Sequence, residues 1–320
     1  MDQQGFRNML LARGLNDAQI DASLKIAERF DAYLHEPGRC PSEDTAWAFS
    51  KQLIEDGDNT EENYIALVRY CHFLKENELF VAFLELVDGG EVAGNLYGRL
   101  GERFGDEIRD EVYAGIGIAP YGIPTPEKPA YLHPVILNLE RQVGKRACSE
   151  FLSASLRDLP DEYFLHEREK YAQASDIDTY LQQRKEAFLS NLENCLREGR
   201  LFFAQEITPE VIDFVRNDPE MGGGRRVGNI VYETKIPYMT RRYLAETDPV
   251  LKRFYACHCP WTRTAIRNGD MRMAEVFCQC SGGFHKKPFE VVFGQPLQVD
   301  VLETVLKGDD RCRFAIHLPG

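Results

Sequence analysis

Cysteines are concentrated in the last fifth of the chain. Five of the nine cysteines and three of the seven histidines fall within residues 256–318 of the 320 residues. Random placement of thiols does not give two Cys-x-Cys pairs and a further cysteine in so short a segment. We therefore expect the chemistry of the protein to lie here. The five are Cys257, Cys259, Cys278, Cys280 and Cys312.

The overall composition limits the compartment and the partners. A formal net charge of −13 argues against binding nucleic acid or an anionic membrane, since both attract basic surfaces. The sequence has neither an apolar run long enough to cross a bilayer nor the basic start and apolar segment of a secretory signal. These features predict a cytoplasmic protein. In that compartment clustered thiols indicate metal, nucleophile or redox chemistry before disulfides.

The chain length and the apolar spacing predict two domains in an α+β fold. Residues 1–114 show helical periodicity and are expected to form a bundle, with Ser42 capping one helix. Residues 115–134 contain Pro120, Pro124, Pro126, Pro129 and Pro134. They are expected to be an ordered, non-helical linker. Residues 135–320 are expected to form an antiparallel sheet packed against helices.

The order of the N-terminal helices weakly resembles the core-binding domain of tyrosine recombinases. The resemblance lies in residues 10–15 (LLARGL) and 65–74 (IALVRYCHFL). A recombinase also needs a basic catalytic domain with an Arg/His set and a nucleophilic tyrosine, which this sequence does not show. A bundle for packing or homodimerisation is the favoured interpretation.

A glycine-rich stretch precedes a predicted strand. Gly222, Gly223 and Gly224 are followed by Arg225 and Arg226, without the Lys-Ser/Thr ending of a phosphate-binding loop. A loop or hairpin is therefore expected. A functional alternative is that this loop is a lid in which Arg225 or Arg226 pairs with a substrate carboxylate. Residues 229–237 alternate as a strand does.

The C-terminal residues predict a β-hairpin. Every second residue from Leu297 to Val305 is apolar except Glu303, which falls in the same row. On the returning strand Cys312 shares a face with Phe314. If Val305 pairs with Cys312, then Glu303 and Cys312 both face the core. A carboxylate there is costly unless it is paired or bound to a cation.

The Cys-x-Cys pairs add to this predicted site. In an extended segment residues i and i+2 share a face, so each pair presents two sulfurs together. Zinc accepts Cys, His and carboxylate ligands, and the candidates are Cys257, Cys259, Cys280, Glu303 and Cys312. Alternatively a thiol, such as Cys278 or Cys280, is a nucleophile, which requires a nearby cation or metal. His258 and His285 are candidate bases or ligands.

About the last 70 residues resemble two families. Residues 280–284 (CSGGF), 294–299 (GQPLQV) and 306–314 (LKGDDRCRF) look like the 4-vinyl-reductase-type small-molecule-binding domain. Cys259-Pro260-Trp261, Cys278 and the Gly-Asp-x-x-Cys-x-Phe ending are similar to the 2-amino-thiazoline-4-carboxylate hydrolase family.

The resemblance implies an α+β domain with a pocket between sheet and helices. In the sensor branch of the first family, cysteines and a glutamate hold zinc, which maps to Glu303, Cys312 and Cys280 or Cys259. Two departures are present: Pro288 is expected to interrupt a family helix, and the doubled Cys-x-Cys pattern is richer than either family needs.

Three functions follow from these observations. The first is a small-molecule hydrolase acting on a small heterocyclic or amide-like compound through a Cys/His/Glu site, with or without zinc. Its expected substrate contacts are Trp261, Phe284, Arg225 and Arg226. The alternative is a zinc-stabilised, sensor-type binding protein without catalysis. A thiol redox protein is less favoured because no Cys-x-x-Cys begins a helix.

Overall fold

A computed structural model describes residues 1–269 and 273–320. The chain divides into two compact units. One comprises Met1–Tyr97 with Gly117–Leu132, and the other comprises Gly98–Ile116 with His133–Gly320. The predicted α+β class is confirmed: helices fill the N-terminal region, and a small antiparallel sheet packs against helices near the C-terminus. In the described part of the chain, no helix combines the length and apolar character that crossing a membrane requires.

Seven helices precede residue 113. They are α1 (Gln3–Ala12), α2 (Asp17–Leu34), α3 (Glu43–Asp56), α4 (Glu61–Leu74), α5 (Asn77–Val87), α6 (Val92–Phe104) and α7 (Asp106–Val112). The predicted cap at Ser42 is confirmed, since its side chain accepts a hydrogen bond from Thr45 N at 3.2 Å. Fully buried aromatic rings fill the core, and Phe30 meets Phe83 edge-on with centroids 4.9 Å apart.

The proline-rich stretch is ordered within the first unit. Ser50 donates a hydrogen bond to Gly122 O at 2.6 Å, and Asn59 donates to Tyr121 O at 3.1 Å. The predicted linker boundary at residue 134 differs from the structure, in which α8 (Lys128–Leu152) already begins at Lys128. Pro129 is compatible with this start because the first helical turn needs no amide donors.

The remaining elements belong to the second unit. The helices are α9 (Leu165–Gln173), α10 (Ile177–Glu198), α11 (Pro209–Asn217), α12 (Thr240–Ala245), α13 (Pro249–Ala256), α14 (Arg263–Asn268) and α15 (Gln279–Phe293). The strands are β1 (Arg225–Val227), β2 (Ile230–Thr234), β3 (Val299–Glu303) and β4 (Arg313–His317).

The four strands form one sheet in the order β1-β2-β4-β3, with every neighbouring pair antiparallel. The predicted C-terminal hairpin is confirmed, with Val299 opposite Ile316 and Val301 opposite Phe314. The register then shifts between Val301 and Glu303. Apolar residues of β3 and β4 pack with Phe289 of α15 in one core.

Helix α15 runs along the sheet without the interruption expected at Pro288. Proline cannot bond to the carbonyl of the residue four positions earlier, which is Phe284. Phe284 is exposed, and the helix continues to Phe293. The two glycines before Phe284 allow α15 to lie close to its neighbours, because a Cβ at Gly283 would stand 2.5 Å from Ser153 O.

Candidate functional site

Four of the five C-terminal cysteines converge in the second unit, and we call Cys257, Cys259, Cys278 and Cys312 the thiol cluster. Cys257 caps the end of α13, Cys278 ends a 3₁₀ turn (Glu275–Cys278), and Cys312 immediately precedes β4. The convergence is visible in the electrostatics of Cys278. Burial raises its thiol pKa well above the usual value, and Cys312, Cys257 and Cys259 raise it further.

Two threonine hydroxyls and an apolar residue hold the thiol cluster together. Thr262 Oγ1 lies 3.6 Å from Cys257 Sγ and also hydrogen-bonds the Cys259 thiol. Thr304 hydrogen-bonds the Cys278 thiol. The fully buried Val305 packs with the Cys257, Cys259 and Cys312 side chains in one apolar cluster. The loop after α13 and the end of the hairpin therefore meet at these sulfurs.

The thiols are protonated in this environment. Burial raises the pKa of Cys259 to about 11, and it also raises the pKa of Cys257 and Cys312. Because the thiolate is the nucleophile, the metal-free cluster is poorly suited to nucleophilic attack. Cys278 is a predicted nucleophile, and three neighbouring thiols raise its pKa, more than for any other cysteine of the cluster.

The donor set is of a type that zinc accepts, since four cysteine sulfurs form a common structural site. As the side chains stand, no group of three or more His, Cys, Asp or Glu in residues 1–269 and 273–320 is arranged to hold a metal ion. Metal binding by these cysteines would therefore require a rearrangement of their side chains.

Cys280 and Glu303, two of the predicted zinc ligands, have other partners. Cys280 Sγ accepts a hydrogen bond from Leu156 N at 3.3 Å, and burial raises its thiol pKa to about 11. The core-facing position predicted for Glu303 is wrong, because the carboxylate lies at the end of β3, is 31% exposed, and accepts from Arg311 Nε at 3.0 Å. The register shift after Val301 explains this departure from strict alternation.

A second polar group lies on the α15 side of the sheet. Glu233 of β2 binds Arg184 of α10 at 2.9 Å and His285 Nδ1 of α15 at 2.7 Å. Arg184 Nε also lies 3.2 Å from Glu167 of α9. Burial alone raises the pKa of Glu233, but Arg184 and His285 outweigh it and hold the pKa below its usual value. The carboxylate is therefore ionised at neutral pH.

The contact with Glu233 determines which nitrogen of His285 carries the proton. A carboxylate can only accept, so Nδ1 donates and Nε2 retains a free lone pair. Burial, the largest influence on the His285 pKa, lowers it despite Glu233, and the ring is neutral. Nε2 is buried and has no hydrogen-bond partner among the described residues. His285 is therefore a neutral ring held in one orientation, with Nε2 able to accept a proton.

The other predicted base, His258, is held by the backbone. Its Nε2 lies 2.6 Å from Ile236 O, and its ring meets Tyr238 edge-on. Burial lowers its pKa well below the usual value. These contacts hold His258 in place as a neutral ring.

A cavity of about 160 Å³ adjoins the thiol cluster at Cys312. Its walls combine aromatic, sulfur-containing, cationic and acidic side chains, including Phe214, Asp218, Met221, Lys235, Tyr243, Asp310, Arg311 and Cys312. This volume suits a molecule of small size.

The four predicted substrate contacts do not line this cavity. Trp261 is buried at 2% exposure, and Phe284 is 40% exposed on α15. Arg225 and Arg226 lie on the exposed edge strand β1, which makes the glycine-rich stretch the start of a hairpin. Arg226 binds Asp178 with Nε at 2.8 Å. Its guanidinium therefore already has a carboxylate partner.

Comparison with known proteins gives one match. Residues 241–319 are similar to a family of unknown function, DUF6144. No curated protein and no solved structure matches the chain. The matched segment contains the whole thiol cluster and His285, whereas Glu233 and Arg184 precede it.

The sequence pattern did not predict Glu233, Arg184 or Lys235 as residues of the site. Glu233 lies on the same face of the predicted strand as Val231, which is fully buried. This position is a sequence signal for a buried carboxylate. Both Glu303 and Glu233 bind a cation, but of the two only Glu233 is buried. Arg184 and Lys235 carry no such local signal.

Proposed function

We propose that the second unit is a small-molecule-binding domain stabilised by a zinc ion held by Cys257, Cys259, Cys278 and Cys312. The observation that carries the proposal is the convergence of these four thiols, Cys257 buried and the other three partly buried, from three separate segments of the chain. Buried thiols with raised pKa values have little use as free nucleophiles, whereas zinc binds and deprotonates such groups. The cavity beside Cys312 supplies the space for a ligand.

The resemblance to 4-vinyl-reductase-type domains supports the same proposal, since the sensor branch of that family holds zinc near its small-molecule site. Here the ligand set differs, with Cys278 replacing Glu303. Zinc would tie the loop after α13 to the end of the hairpin and so fix one wall of the cavity.

The test is metal analysis of freshly purified protein together with single Cys→Ser variants. We expect one zinc per chain, lost in Cys257→Ser and in Cys278→Ser, with a fall in the thermal midpoint. Cys40→Ser is the matched control because Cys40 is exposed and outside the cluster. Folded wild-type protein that binds no zinc when it is supplied would refute the proposal, as would equal zinc content in all three variants.

A second function, hydrolysis of a small heterocyclic or amide-like compound, is favoured by the Glu233–His285 pair. An oriented imidazole with an unpartnered Nε2 can accept a proton from water during hydrolysis. The probe substrate is 2-amino-thiazoline-4-carboxylate, which the family resemblance suggests. Turnover that falls at least ~100-fold in His285→Gln supports this function. No turnover by zinc-loaded wild type argues against this activity on that substrate class.

A further inference from the structure

The cavity beside Cys312 is bounded by side chains of both charges. Lys235 lies just beyond the end of β2, Asp310 and Arg311 belong to the segment between β3 and β4, and Asp218 caps the end of α11. All of them belong to the second unit. A neutral, apolar ligand would remove these groups from water without giving any of them a partner, which is unfavourable. The cavity therefore suits a ligand that carries charge itself.

The two cations of the cavity differ in what they can still bind. Arg311 already has a carboxylate partner, since Glu303 accepts from its Nε at 3.0 Å and from its Nη2 at 3.2 Å. Lys235 Nζ donates to the Ser281 hydroxyl at 3.1 Å, and an ammonium has three donors. In the part of the chain that the structure describes, no ion pair joins Lys235 to either acid of the cavity. Lys235 is therefore the cation with donors left for a ligand.

The two acids supply negative charge at the same cavity. Asp310 is exposed and Asp218 is partly buried. Tyr243 donates to Asp310 O at 3.3 Å, which places its ring beside this residue. Burial raises the pKa of the Tyr243 hydroxyl, and the charge of Asp310 raises it further. A cationic group of a ligand is therefore favoured beside Asp310 and the ring of Tyr243, since acids and aromatic faces both attract cations.

The remaining wall is apolar and limits the size of the ligand. The rings of Phe214 and Tyr243 lie with their centroids 6.0 Å apart, and Met221 and Ala256 also line the cavity. The volume is about 160 Å³. An apolar protein cavity of ~150 Å³ holds one benzene molecule. A compact molecule of roughly six to nine non-hydrogen atoms therefore fits.

We propose that this cavity binds a small zwitterion with one carboxylate and one ammonium group on an apolar body, of the size of an α-amino acid with a short apolar side chain. The carboxylate pairs with Lys235, the ammonium pairs with Asp310, and the body packs on Phe214 and Tyr243. An anion alone would meet the two acids, and a cation alone would leave Lys235 without a partner. The inference rests on the proposed small-molecule binding by the second unit and is independent of the zinc ion.

The test compares ligands that differ by one charged group. Valine and leucine are each titrated calorimetrically into the full chain at neutral pH, beside the amine that lacks the carboxylate and the acid that lacks the amino group. For valine these are isobutylamine and isovalerate. We expect the amino acid to bind at least ~tenfold more tightly than either partial compound, because each partial compound loses one charged hydrogen-bonded contact.

Two variants assign the two ends of the ligand. Lys235→Met should weaken binding of the amino acid at least ~tenfold and leave the affinity for the amine unchanged. Asp310→Asn should weaken binding of the amino acid and leave the affinity for the carboxylic acid equal or higher. A residue that merely supports packing would weaken all three ligands alike. The exposed Lys145→Met and Glu169→Gln are the controls for removing a charge from the same unit.

The outcomes separate this inference from the proposed zinc site. If neither amino acid binds, if a partial compound binds as tightly as its amino acid, or if Lys235→Met binds the amino acid as well as wild type does, the ligand class is refuted. Zinc content is measured on the same samples. Zinc-containing protein that fails these tests keeps the zinc site and loses the zwitterion, whereas zinc-free protein that passes them keeps the zwitterion and loses the zinc site.

Discussion

Gly283 in α15 offers a sharp test of how this helix is placed. An added Cβ would stand 2.5 Å from Ser153 O and 2.7 Å from Ser155 N. Both are backbone atoms, which cannot rotate away as a side chain can. Gly98, in α6 of the same unit, has no atom within 4 Å of its added Cβ. The same Gly→Ala change therefore meets opposite surroundings in two helices.

The magnitudes follow from two competing effects. Alanine favours a helix over glycine by ~1 kcal/mol, which should stabilise Gly98→Ala by up to that amount. At Gly283 the helix must move outward to reach ordinary van der Waals separation, and overpacking of this kind costs ~1–3 kcal/mol. Because the obstacle is backbone, the upper part of that range applies. We expect Gly283→Ala to lose about 2 kcal/mol overall.

Urea unfolding followed by tryptophan fluorescence measures this difference. The chain has two tryptophans, Trp47 and Trp261, and a Trp47→Phe background leaves Trp261 as the reporter of the second unit. Gly282→Ala supplies an intermediate case, since its Cβ would lie 3.1 Å from a Val301 methyl. If Gly283→Ala and Gly98→Ala shift the free energy of unfolding in the same direction, the close packing of α15 on Ser153 is wrong.

Three further predictions concern the buried charges and thiols. Glu233→Gln should lower the free energy of unfolding by ~2–3 kcal/mol. This is less than the cost of a fully unpaired buried charge, because Glu167 still binds Arg184. Denaturant titration checks the value with the exposed Glu193→Gln as control, and a loss below ~0.5 kcal/mol contradicts it. The thermal midpoint should fall as pH drops through 6.5, because the folded state holds the pKa of His285 below that of the unfolded chain and only unfolding lets it take a proton. His285→Gln should reduce this slope, with the remainder due to His258 and His133, whose pKa values burial also lowers; an unchanged slope contradicts the assignment. In native metal-free protein one thiol, Cys40, should react rapidly with a disulfide reagent because it is the one exposed cysteine of the described residues. Cys40→Ser should abolish this fast phase, and a fast phase that survives would show that a buried or partly buried thiol is reactive.

Periodicity predicted the elements of the second unit better than the positions of its charges. The hairpin, β2 and the helix beginning after Asp176 all lie where apolar spacing and capping residues placed them. Burial of one face fixes such elements locally, because the period of a strand or helix selects that face. The convergence of Cys257, Cys259 and Cys312 also followed from the density of cysteines in the segment.

Two of the acidic residues of the sheet, Glu303 and Glu233, show why the rest could not be predicted from the sequence. Glu303 and Glu233 each share a row of their strand with valine, yet the side chain of Glu303 is 31% exposed and that of Glu233 is 9% exposed. A register shift, which no residue pattern announces, separates Glu303 from its row. Glu233 stays in its row because Arg184, from a helix 49 positions earlier in the sequence, reaches it.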